Sequence, residues 1–257
     1  VDGEQIAYPM TLTQEDSVFG QLSDPHLYPE VSQVRESMKN WRFYHEFSVS
    51  SDSAIRMPQV GIRSPILSHD GTNLAAAFET LRERGQTEVL FEVLEKASPN
   101  TRFFVDAQGG RFQMMMQREG ILRPLESAEF SDGTLRFLCL AVALLSPRPP
   151  LFMALNEPEN SLHPKWQKEY IGKILDMFYY YHPKIIIATH SALMIPLKEQ
   201  PINLFSIENS IIKKLKRTTN NNEELLSDTF KIVTPENRYL SNHIIDIINK
   251  FDSNEIT

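Results

Sequence analysis

Apolar residues recur along this chain in two rhythms, and the change from one to the other marks its elements. LFMAL, residues 151–155, is a continuous apolar run that breaks on Asn156, Glu157, Pro158 and Glu159. Such a run bounded by turn residues predicts a strand covered on both faces, as in parallel α/β sheets. KIIIATHS predicts a second buried strand of the same kind. Before the first, SAEFSDGTLRFLCLAVALLS predicts a turn and then a buried helix. Between the two strands, PKWQKEYIGKILDMFYYYH has amphipathic helical spacing, with Pro164 in its first turn. Strand, helix and strand in close succession give an α/β architecture, a sheet flanked by helices.

The segments on either side read differently. Residues 1–60 are irregular, with two prolines in DPHLYPE, although VSQVRESMKNWRFYHEF carries helical spacing through Val31, Val34, Met38 and Trp41. A helical arm is expected over 14–60. PILSHDGTNLAAAFETLRERG places turn residues before strong helix formers, with Thr72 or Asn73 as N-cap and Gly85 past the end. TRFFVDAQGGRFQMMMQ predicts a β-hairpin about Gly109-Gly110, its three methionines serving strand packing rather than a soft metal. NLFSIENSIIKKLKR predicts another hairpin, NNNEELLSD a loop and NRYLSNHIIDIINKF a closing helix. The expected organisation is an arm and lid region over 1–125, with short helices and a hairpin, a core over 126–217, and a loop and helix over 218–257.

Composition narrows the class. A net charge of −7 argues against a surface built throughout for nucleic acid. The one basic stripe, KKLKR at 213–217, is more simply a solvated strand edge. Cys139, the single cysteine, excludes a disulfide framework and fits a small core residue in a reduced cytoplasm. No stretch has the length of apolar residues that a membrane span needs. The chain opens on Val1 rather than methionine, and a fragment of a longer protein is expected.

Candidate chemistry gathers in one region. A helix opening on Ser131, Asp132, Gly133 and Thr134 offers unpaired backbone N–H groups to an anion such as phosphate. Glu157, just past a buried strand, can orient and deprotonate a water, and His190, at the end of the next, can donate to a phosphoryl oxygen. Taken singly, each has a plain structural reading: a helix cap, a solvated turn residue, a strand-end histidine. His69-Asp70 is explained by turn chemistry without catalysis.

In this order and spacing, FSDGTLRFLCLAVALLSPRPPLFMALNEPENSLHP followed by IIIATHS resembles the C-terminal half of ABC-type ATPases, in the SMC- and RecF-like branch of bacterial AAA-type ATPases. FSDGT resembles that family's signature motif, LFMALNE its Walker B strand and catalytic glutamate, NSLH its D-loop and ATHS its switch-histidine motif. DPHLYPE, WRFYHEF and LSHDGTNLAAA are similar to the family as well. The resemblance implies a P-loop NTPase fold with an arm inserted before the signature motif, ATP and Mg2+ as ligands, and a homodimer joined through signature motif and D-loop. It gives Glu157 the role of general base and His190 that of γ-phosphate sensor. Ser131, Asp132, Gly133 and Thr134 then meet nucleotide in trans, and Asn160, Ser161, Leu162 and His163 form the D-loop.

Two departures stand out. Asn156 replaces the magnesium-directing aspartate, so its amide oxygen would reach the ion through a water and without charge. No G-x-x-x-x-G-K-[ST] loop exists in these residues; Gly172-Lys173 is the sole Gly-Lys pair, with Gln167 five positions earlier and Ile174 after it. An upstream segment carrying Walker A is expected, and this chain alone is expected to be inactive. A rival from another class is a regulatory clamp, closed by ATP without hydrolysis around DNA or an effector protein.

Overall fold

The computed structural model describes residues 12–84, 87–160, 162, 184–189, 203, 205–208 and 211–214. It is a mixed α/β structure with a parallel sheet. Two short helices, α1 (Val18–Gln21) and α2 (Pro29–Lys39), lead into β1 (Trp41–Tyr44). Trp41, expected on a helix, therefore begins a strand. Helix α2 stops because the Asn40 amide turns back to the Met38 and Ser37 carbonyls, and the next four residues gain a ladder instead.

That ladder is with β6 (Phe152–Asn156), which pairs in parallel with β7 (Lys184–Ala188) on its other side. Among the described residues the order is β1-β6-β7. Strand β6 is not covered equally on both faces. Met153 and Leu155 are fully buried, whereas the opposite face carries Trp41, Phe43 and Phe152, whose rings lie 5.2–6.4 Å apart and whose Phe43 is half exposed. Strand β7 is not the buried strand expected: its Ile186 is 59% exposed.

After Tyr44 the chain runs through a 3-10 turn (Ala54–Arg56) and β2 (Gln59–Val60) to α3 (Leu74–Arg84) and α4 (Thr87–Ala97). The expected α3 is present, but Asn73 does not cap it with its side chain. Its amide instead donates to Ser64 Oγ and the Ile66 carbonyl and accepts from the Ser68 amide, fixing the turn ahead of the helix. Gly71 completes that turn at φ 78°, and a Cβ there would come within 2.8 Å of Cys139 Sγ and 3.0 Å of the Phe47 ring. Helix α4 buries Leu90, Leu94 and Ala97 on one stripe.

The hairpin is as expected, β3 (Thr101–Gln108) against β4 (Arg111–Arg118), with Gly109 and Gly110 at φ 57° and 73°. Positive φ at both loop positions gives the tight two-residue turn that matches strand twist. Strands β2 and β5 (Leu125–Glu126) flank β4, and Met114 is fully buried in the core.

Helix α5 (Asp132–Leu144) is the structural centre: Leu135 and every residue from Phe137 to Leu144 is buried. A helix apolar all round must be enclosed. Residues of α3, α4, the hairpin and β6 share one core cluster with it. The second expected hairpin is present as β8 (Phe205–Glu208) and β9 (Ile211–Lys214), with Lys213 and Lys214 on an exposed strand. The expected helices at 164–182 and 237–251 and the loop between 220 and 228 lie outside the described residues.

Candidate nucleotide site

The turn before α5 is built by capping. Ser131 Oγ accepts from the Thr134 amide at 3.2 Å and pairs with Thr134 Oγ1 at 2.8 Å, so its hydroxyl closes the first turn of its own helix. Ser131 and Asp132 are exposed, and Gly133 and Thr134 partly so. The plain cap is thus real. It leaves the amides of Asp132 and Gly133 at the positive end of a 13-residue helix.

A residue that sequence reasoning missed holds this turn. Arg56 is 6% exposed, yet its guanidinium donates to the carbonyls of Val49, Ser50, Ser127, Ala128 and Phe130. It also donates to Asp132 Oδ1 at 2.6 Å. In return Ser127 Oγ donates to the Arg56 carbonyl at 3.0 Å. Its partners lie as many as 76 residues away, so no local spacing could have revealed it.

The other half lies where β6 ends. Asn156 is the last strand residue, and Glu157 follows in the left-handed region at φ 45°. The Glu157 amide donates to the Ala188 carbonyl at 2.8 Å, extending the β6-β7 ladder by one bond. Its carbonyl then accepts from Asn160, and that of Glu159 from Leu162, both at 2.9 Å. Pro158 and Leu162 are buried, and Asn160 is exposed. Glu159, unassigned by motif, is buried and accepts a hydrogen bond from Thr189 Oγ1, which ties the turn to the end of β7. His190, Ser161 and His163 lie outside the described residues.

The two halves meet through α5. Arg136 and Leu140 line a pocket of about 20 Å³ with Tyr44, Asn156, Glu157 and Asn160. Arg136 reaches Glu46 at 3.4 Å. Burial pushes the Tyr44 hydroxyl and the Cys139 thiol far above their ordinary ranges, so both stay neutral and Cys139 is a core group, not a nucleophile. Among the described residues no group of three or more His, Cys, Asp or Glu side chains could hold a metal by itself. The chemistry at Asn156 and Glu157 fits an ion such as Mg2+, which takes one or two protein oxygens and completes its shell with water and substrate phosphates.

The model of one protein family, described as "AAA domain, putative AbiEii toxin, Type IV TA system", matches residues 8–195, most of the chain. The chain belongs to this family. As a member of this AAA family it is of an ATPase class, and the match spans both halves of the site. No curated protein matches the chain. Solved structures similar to it include the Smc head domain with a coiled coil and joint from Pyrococcus yayanosii, at 15% identity and TM-score 0.45 over 60% of this chain and 30% of that one. A second comes from work on ATP-driven dimerization and DNA stimulated activation of SMC ATPases, at 16% identity and TM-score 0.44 over 62% and 99%. The Smc head domain from Pyrococcus furiosus with an extended coiled coil, bound to the C-terminal domain of ScpA, matches at 16% identity and TM-score 0.42 over 60% and 38%. The chain thus spans less than half the length of the first and third. Among the described residues no helix is long and apolar enough to cross a membrane.

Proposed function

We propose that the chain provides the signature, Walker B, D-loop and switch-histidine parts of an ATPase that dimerises on ATP and separates after hydrolysis. Glu157 is the general base that takes a proton from the attacking water. His190 senses the γ-phosphate. Ser131, Asp132, Gly133 and Thr134 present the start of α5 to nucleotide held by a second copy, and Asn160, Ser161, Leu162 and His163 line the seam. Mg2+, when bound, neutralises phosphate charge, with Asn156 directing it through a water. The phosphates are cradled by a segment outside these 257 residues, which contain no phosphate loop.

The observation that carries this reading is the placement of Glu157. It stands one residue past the carboxyl end of a parallel strand, where α/β sheets bind their ligands, and in a backbone conformation unusual for a residue with a side chain. The family description names a putative toxin and a toxin–antitoxin system; the partner that the dimer drives or regulates is DNA or an effector protein.

Phosphate release by the complete ATPase, carrying its phosphate loop, tests the reading. Glu157→Gln should retain ATP binding and lose roughly 10²–10⁴-fold in turnover, the range for removing a general base. Unchanged release removes Glu157 from that role. Tight ATP binding by the wild type with no turnover would favour the non-hydrolysing clamp.

A further inference from the structure

The start of α5 presents an electrostatic contradiction. A helix N-terminus attracts anions, but its first residue is Asp132, whose side chain is 62% exposed. A carboxylate there satisfies its own helix and repels any phosphate that approaches the same amides. The buried Arg56 resolves it. Arg56 Nη2 reaches Asp132 Oδ1 at 2.6 Å, while the rest of the guanidinium is anchored by the carbonyls of Val49, Ser50 and Phe130 at 2.7–3.0 Å. A guanidinium braced in this way cannot follow a mobile carboxylate; the carboxylate must come to it.

We propose that Arg56 is a positioning residue for the trans nucleotide: it neutralises Asp132 and holds its carboxylate aside, so that the α5 amides accept a phosphate. The inference rests on the trans-acting reading of Ser131 to Thr134. It assigns the segment 49–56, which no motif marked, to the nucleotide seam. It also makes a prediction of sign that a purely structural Arg56 does not make, because the defect of losing Arg56 is an exposed negative charge and is cured by removing that charge.

The experiment measures ATP-dependent dimerisation of the complete ATPase by light scattering, in a Glu157→Gln background that does not consume ATP. Arg56→Gln should weaken the dimer by at least about 10-fold, as expected for an unpaired carboxylate beside phosphate. Adding Asp132→Asn to Arg56→Gln should restore it to within about 3-fold of the parent, the coupling expected of contacting residues. A double variant as weak as Arg56→Gln, or weaker, overturns the proposal. Should Arg56→Gln fail to fold by circular dichroism, Arg56→Lys with and without Asp132→Asn takes its place, and a dimer no stronger with Asp132→Asn than without it overturns the proposal. If the parent forms no dimer on ATP, the trans-acting reading itself fails and takes this inference with it.

Discussion

Glu157 and Glu129 show how differently two carboxylates can be used within thirty residues. At Glu157 the backbone is held in a left-handed conformation, which costs of order 1–3 kcal/mol for a residue other than glycine. The ladder bond to Ala188 and the tight turn to Asn160 hold it there. Glu129 carries no such strain. Arg123 grips both its oxygens at 2.8 Å and the Glu126 amide donates at 3.0 Å. Arg123 first, and then that amide, hold its carboxyl down at about 2 against an ordinary 4.5. A folded-state value below the unfolded one means that Glu129 stabilises the fold fully above pH 4.5 and ceases to as pH falls through about 2. Urea unfolding of wild type and Glu129→Gln should therefore differ most above pH 4.5 and converge toward pH 2. The gap should be small and shrink with salt, because the pair is exposed to water.

At the scale of elements, the ends of β6 and β7 behave as one unit. The hydrogen bond from Thr189 to the buried Glu159 joins the two exits beside the Glu157 amide. Thr189→Val keeps the shape and deletes the donor, so it should cost about 1–3 kcal/mol, the cost of removing one partner from a buried hydrogen-bonding group. Chemical denaturation measures this; a loss below a few tenths would mean the bond contributes nothing. Helix α5 and the Gly109-Gly110 hairpin are legible in the sequence because their signals are local: an unbroken apolar stretch from Phe137 to Leu145, and two glycines between β-rich runs. Trp41 misled because a tryptophan in register with Val34 and Met38 also suits a strand, and only pairing with Phe152 decides between them. Helix α4 had a readable stripe in Leu90, Leu94 and Ala97. Arg56 was beyond reach because its role depends on carbonyls more than 70 residues away. Within the LNEPE turn nothing local sets Glu159 apart from Glu157, and only the fold buries Glu159.

For the whole molecule, the placement of Ser131 allows two outcomes that differ in where its partner lies. A residue that caps its own helix and nothing more should cost about 1 kcal/mol when replaced, and Ser131→Arg would leave nucleotide behaviour unchanged. A residue that meets ATP held by a second copy should instead block ATP-dependent dimerisation of the complete ATPase, while each subunit still binds nucleotide. Mixing Ser131→Arg with Glu157→Gln sharpens the distinction. In each mixed dimer one composite site carries both defects and the other carries neither, so phosphate release should partly return although each parent variant is inactive alone. Light scattering reads the dimer and phosphate release reads the mixture. Normal ATP-dependent dimers of Ser131→Arg would leave Ser131 a helix cap, and α5 would then owe its buried length to the core alone.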